Sequence, residues 1–93
     1  MSRQANPSPP GPMQQWILAQ GFTYMGNCGC RANMSRWHSA DPVYHGYEIW
    51  TDSQFTKFQV RRFYGGTVDS KIIGIGNANN YVTIFEHWMP KKP

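Results

Sequence analysis

The stretch Tyr44–Tyr64, YHGYEIWTDSQFTKFQVRRFY, alternates with a period of two on both sides of a short polar break. Tyr47 and Ile49 alternate with Glu48 and Trp50, and Phe58 and Val60 alternate with Lys57, Gln59 and Arg61. Successive side chains of a strand point to opposite faces, so this aromatic and β-branched pattern predicts two strands with one buried and one wet face. Thr51-Asp52-Ser53-Gln54 supplies the polar turn of an antiparallel hairpin. The wet face is basic and aromatic. Arg61-Arg62 breaks the alternation, so one of the two turns to the other face or sits at a bulge.

Downstream, Gly65-Gly66 suits a type I′ turn because both residues accept positive φ without steric cost. Lys71-Ile72-Ile73-Gly74-Ile75 is the strongest β-branched run left and predicts the last strand, with 65–70 a looser connection. Asn79 or Asn80 caps a helix in which Tyr81, Ile84, Phe85 and Trp88 fall at i, i+3, i+4 and i+7, and Pro90 ends it. Upstream, Met13, Trp16 and Ile17 mark a short helix over 12–20, with proline at its first position and Gly21 as its left-handed cap. Phe22, Tyr24 and Gly26 begin a first strand, 27–29 is a turn, and 33–38 is a second strand ended by Ser39-Ala40-Asp41-Pro42.

The fold class expected from this order is α+β: an antiparallel sheet of about four to five strands, flanked by an N-terminal and a C-terminal helix on one face. The 93 residues suit one domain, spanning 12–90, and at this length folding buries only about 60–65% of the unfolded surface. The 15% aromatic content suits so small a core, because each ring removes a large area from water. Residues 1–11, MSRQANPSPPG, form a proline-rich arm that can join neither helix nor central strand, and 91–93 form a basic tail. Pro7, Pro9 and Pro10 of the arm are expected to lie along a protein partner.

Charged residues are scarce at 15%, against about 25% in ordinary globular chains, which favours a surface that docks. The net charge of +4 is uneven: residues 55–64 hold Lys57, Arg61 and Arg62 and no acid. Guanidinium and ammonium groups hold phosphates while aromatic faces stack bases, so Lys57, Arg61 and Arg62 are candidate nucleic-acid contacts. Trp50, Phe55, Phe63 and Tyr64 are candidate partner contacts, since interface cores are aromatic-rich and charge-depleted. No apolar run is long enough to span a bilayer and the N-terminus lacks an apolar leader segment, so the chain reads as soluble, intracellular or virion-borne, and not secreted.

Cys28, Cys30, His38 and His45 are four zinc-compatible donors within eighteen residues, and a Cys₂His₂ site is the cofactor reading this sequence allows. Their spacing matches no familiar zinc knuckle, and no cofactor is expected otherwise. Cys28 and Cys30 are too close in sequence for an easy mutual disulfide, which points to free thiols in a reducing compartment. Asp41, Glu48, Asp52, Asp69 and Glu86 sit in separate elements and make no acid and base pair, so no catalytic residue is assigned. Gly74-Ile75-Gly76 has only the outline of a phosphate cradle and reads as glycines easing a strand into a helix.

Gly21-Phe22-Thr23-Tyr24 leading to Asn27-Cys28-Gly29-Cys30, followed by Tyr47-Glu48-Ile49 and Phe58-Gln59-Val60, resembles small proteins carried by bacteriophages and other bacterial mobile elements, over residues 15–89. That resemblance implies a short accessory or virion-associated protein and transfers no catalytic residue. The helix, strands, helix order also looks like that of small toxin and double-stranded-RNA-binding domains, whose diagnostic residues are absent here. The function expected is therefore a non-catalytic interaction protein of a larger assembly, binding a protein partner or a second copy through arm and aromatic surface. A nucleic-acid-binding accessory protein is the second reading and a zinc module the third.

Overall fold

The computed structural model describes residues 11–65 and 69–90. Pro7, Pro9 and Pro10, Gly66 of the expected turn and the basic tail lie outside them. The elements run α1 (Pro12–Ala19), β1 (Phe22–Asn27), β2 (Ser35–Ser39), a 3-10 turn (Pro42–Tyr44), β3 (Tyr47–Thr51), β4 (Lys57–Phe63), β5 (Ser70–Asn77) and α2 (Tyr81–Trp88). The five strands form one antiparallel meander in the order β1-β2-β3-β4-β5, so this is the α+β fold the patterning implies.

Each helix is short and amphipathic, so it holds its shape by packing more than by propensity. α1 opens on Pro12, buries Met13 and Ile17 one turn apart, and ends at Gly21, whose φ of +87° the left-handed cap requires. α2 buries Phe85, and Met89 just past its last residue is buried in the same core. Trp16 of α1 stacks on Phe85 at 4.6 Å between ring centroids, and Phe85 meets Phe58 of β4 at 4.3 Å. Phe85 thereby joins both helices to the sheet. Phe22, Trp37, Ile49, Phe58 and Val60 complete the core on that single face.

β5 lies close beneath α2 because two of its residues have no side chain. A Cβ on Gly74 would overlap the indole of Trp88, and one on Gly76 would meet Phe58 Cζ at 2.6 Å and Asn80 Oδ1 at 2.7 Å. Asn80 Oδ1 also accepts the Asn77 backbone N–H at 2.8 Å, tying the strand end to the helix start. The Gly-Ile-Gly run is thus a packing device. Gly74→Ala is expected to destabilise the domain by about 1–3 kcal/mol through overpacking, read as a lower urea midpoint at unchanged slope. An unchanged midpoint would mean that α2 shifts freely.

Several expectations are corrected by the register. The second strand runs Ser35–Ser39 and not over the expected 33–38, and within it Trp37 and Ser39 are buried, so Arg36 and His38 face away from the helices. Trp37 donates its Nε1–H to Thr51 Oγ1 at 2.9 Å, which satisfies the one polar atom of a buried indole. The hairpin turn is longer than four residues: Asp52 Oδ1 accepts the N–H groups of Thr56 and Lys57, and Thr56 Oγ1 bonds Asp52 Oδ2. Partial burial pushes the Asp52 carboxyl up, but those hydrogen bonds and the Lys57 charge outweigh it and hold it below its usual range. Phe55 has a φ of +56° in this loop and its ring packs on Trp37 at 5.7 Å.

The largest correction concerns the cysteines. Cys28 and Cys30 are joined by a disulfide across a single intervening glycine, with their Cα atoms 5.2 Å apart. Gly29, with a φ of +67°, gives the chain the reversal that brings the two sulfurs together. The argument for a reducing compartment therefore loses its ground. No helix among the described residues is long and apolar enough to cross a membrane.

Candidate functional site

Both helices cover one face of the sheet, and the other face carries no layer among the described residues. Its side chains come from alternate positions and align in two cross-strand rows. Arg36, Trp50, Gln59 and Ile75 form one row, and His38, Glu48, Arg61 and Ile72 the next. Phe63 and Ser70 pair beyond them. The β4–β5 register shifts between Val60 and Arg61, where β5 inserts Ile73 as a bulge, so Ile73 packs toward the core while Ile72 and Ile75 stand on the uncovered face.

Glu48 lies at the centre and is only 3% exposed although no layer of the described residues covers this face. Its neighbours do the covering. Arg36 donates to both carboxylate oxygens, at 2.9 Å through one terminal nitrogen and 3.4 Å through Nε, and Trp50 Nε1–H donates to Glu48 Oε1 at 2.8 Å. The Arg61 guanidinium lies 3.9 Å from the centroid of the Trp50 ring, within cation–π range. Arg61 is fixed there by bonds to Gln59 Oε1 at 2.8 Å, Ser70 Oγ at 2.7 Å and the Ser70 carbonyl at 2.9 Å. Hydrogen bonding to Glu48 raises the Arg36 guanidinium above its usual range, against partial desolvation. Arg61 is lowered by its own partial burial, with attraction to Glu48 and Asp69 opposing. A cavity of about 300 Å³ opens over the network, lined by Arg36, Glu48, Trp50 and Arg61 together with Cys28, Phe63, Asp69 and Ser70.

The residues singled out from the sequence are brought together only in part. Trp50 and Phe63 share the uncovered face, whereas Tyr64, half exposed just past β4, has the Arg62 guanidinium 5.5 Å from its ring centroid, away from that face. Phe55 is not on that face, because its ring packs toward the core. Lys57, Arg61 and Arg62 do not form one strip. Alternation continues through β4, so Arg61 faces Trp50 while Arg62 turns to the helix side and lies 5.1 Å from the ring centroid of Tyr47. Lys57 stands at the far end of the strand, beside Asn77.

The expected zinc donors divide differently. The two sulfurs are bound to each other, and the imidazoles of His38 and His45 meet edge to face at 6.3 Å. Among the described residues no three His, Cys, Asp or Glu side chains gather as a metal-binding group. The Arg36–Glu48–Trp50–Arg61 network was not foreseen as a unit; the signal available was a glutamate flanked by large residues on the wet side of a strand. Comparison with family models, curated proteins and solved structures found no match to this chain.

Proposed function

We propose that this chain is a non-catalytic interaction protein that docks a protein partner on the uncovered face of its sheet, as an accessory or virion-associated component of a larger assembly. The observation that carries this reading is the internal engagement of the two arginines, Arg36 and Arg61, on that face. Arg36 is spent on Glu48, and Arg61 on Trp50, Gln59 and Ser70. A phosphate backbone would find a carboxylate at the centre of the face, and a base would find one side of Trp50 already occupied. What stays accessible there is apolar: Ile72 at 50% and Ile75 at 67% exposure, with Phe63 half-buried on the same face. A preformed, charge-balanced patch edged by exposed apolar groups has the chemistry of a protein interface. The proline-rich arm, Pro7, Pro9 and Pro10, extends the same reading as a second contact.

Native mass spectrometry of the untagged protein from its own source tests this across a salt series. The expected result is a complex with protein that persists at high salt and is lost in Ile75→Glu, a substitution at an exposed site that leaves the fold intact. A complex with nucleic acid that falls away steeply as salt rises would replace this reading with the nucleic-acid one, because phosphate contacts release counterions.

A further inference from the structure

We propose that Cys28–Cys30 is a reversible exchange site for thiolates, in which the incoming sulfur attacks Cys30 and Cys28 departs. The bond sits in the loop between β1 and β2, outside the core, and closes a ring across one intervening residue. So small a ring restricts the unfolded chain little, so the bond is a weak staple. The loop is held without it: Cys28 N–H donates to the Met34 carbonyl at 2.8 Å, Asn33 N–H to the Cys30 carbonyl at 2.9 Å, and the Asn27 side-chain amide to Asn33 Oδ1 at 2.8 Å. Opening the bond therefore leaves the backbone in place.

The two sulfurs are not equivalent. Cys30 is exposed, whereas Cys28 is half-buried at the edge of the cavity that Arg36 also lines. Cys28 Sγ accepts the backbone N–H of Cys30 at 3.1 Å and of Met34 at 3.3 Å. Donors aimed at a sulfur favour its thiolate, and a better-stabilised thiolate leaves faster in exchange. Access selects Cys30 as the atom attacked, and the N–H pair selects Cys28 as the leaving group.

In the first step a thiolate RS⁻ forms a bond to Cys30 Sγ, the Cys28–Cys30 bond breaks, and its electron pair leaves on Cys28. In the second step another thiolate attacks the R sulfur of the mixed disulfide, giving RSSR and the Cys30 thiolate. Two thiols are oxidised, the protein disulfide is reduced by two electrons, and the protons released by the thiols end on the two cysteines. The reverse sequence, with RSSR as oxidant, restores the bond. The reactant is defined only as a thiolate, small or on a protein. This inference stands apart from the docking reading.

The test uses the full chain in buffers of reduced and oxidised glutathione over a wide ratio, quenched with N-ethylmaleimide and mapped by tandem mass spectrometry. The reduced fraction is expected to rise across the series, with the sheet signal in circular dichroism retained. The trapped intermediate is expected to carry glutathione on Cys30 and maleimide on Cys28, roughly tenfold over the reverse arrangement, given the leaving-group difference. A bond that stays closed at every ratio, thiols that stay free at every ratio, loss of the sheet on reduction, or glutathione mainly on Cys28 would each overturn the proposal. A parallel arm with a protein dithiol of the thioredoxin type separates the sources: faster reduction than by glutathione assigns the site to protein thiols, slower to small ones.

Discussion

Phe85→Ala is expected to remove about 3–5 kcal/mol of stability, a large fraction of the roughly 5–15 kcal/mol that holds an ordinary domain together. Phe85 is 1% exposed and stacks on Trp16 of α1 and against Phe58 of β4, so its loss opens a cavity where three elements meet. Neither helix can close that gap, because α2 is already seated on Gly74 through Trp88 and α1 is anchored by Met13 and Ile17. Phe85→Leu keeps most of the buried volume and loses mainly ring geometry, for an expected cost of about 1–1.5 kcal/mol. Urea unfolding of both variants checks the order. Equal, small losses would show that the helices hold to the sheet without this ring.

Arg36→Ala is expected to cost about 1–3 kcal/mol, more than Glu48→Gln, although both break one ion pair. The asymmetry follows from burial. Glu48 has a side chain 4% exposed and becomes a buried carboxylate without its principal partner, whereas the Arg36 side chain is 37% exposed and returns to water. Glutamine at 48 still offers an oxygen to Trp50 Nε1–H, now bonded at 2.8 Å. Arg36→Met combined with Glu48→Met is expected to cost less than Arg36→Ala, since no buried carboxylate is left without its partner, although Trp50 Nε1–H then loses its acceptor. Denaturant titration of Arg36→Met, Glu48→Met and the double variant completes a cycle that reads the coupling directly. A double variant no better than Arg36→Ala would show that the cost of Arg36→Ala does not come from a stranded Glu48 carboxylate.

If the double variant folds normally, the pair contributes little to stability, and the proposed docking role is what it would serve. The network also explains how the sheet can leave one face without a covering layer among the described residues. Trp50, Arg36 and Arg61 lie over Glu48 as a thin polar and aromatic lid, so the face presents fixed groups in place of mobile charged chains. A preordered surface loses less side-chain freedom when a partner arrives.

Much of this architecture was legible in the residues because it rests on local periodicity. The alternation of Tyr47, Ile49, Phe58 and Val60 determined the central hairpin and its buried face, and those positions do line the helix side of the sheet. Met13 with Ile17, and Ile84 with Phe85, determined two short helices, with Gly21 as the cap of the first. Period and turn chemistry act within a few residues, so one chain suffices to read them.

Tertiary structure decided what depends on pairing across elements. Alternation in β2 reads equally well for either face, and only its register with β3 placed Trp37 inside beside Ile49 and Arg36 outside beside Trp50. The bulge at Ile73 kept β4 regular, which sent Arg61 and Arg62 to opposite faces and divided the basic strip. Phe55 went to the core because Trp37, eighteen positions earlier in the chain, offered its ring there. Cys28 and Cys30 met because Gly29 reverses the backbone, a conformational event that a count of intervening residues does not show. Spacing along a chain states which groups are available, while the pairing of strands states which of them share a face, and the candidate site belongs to the second kind of information.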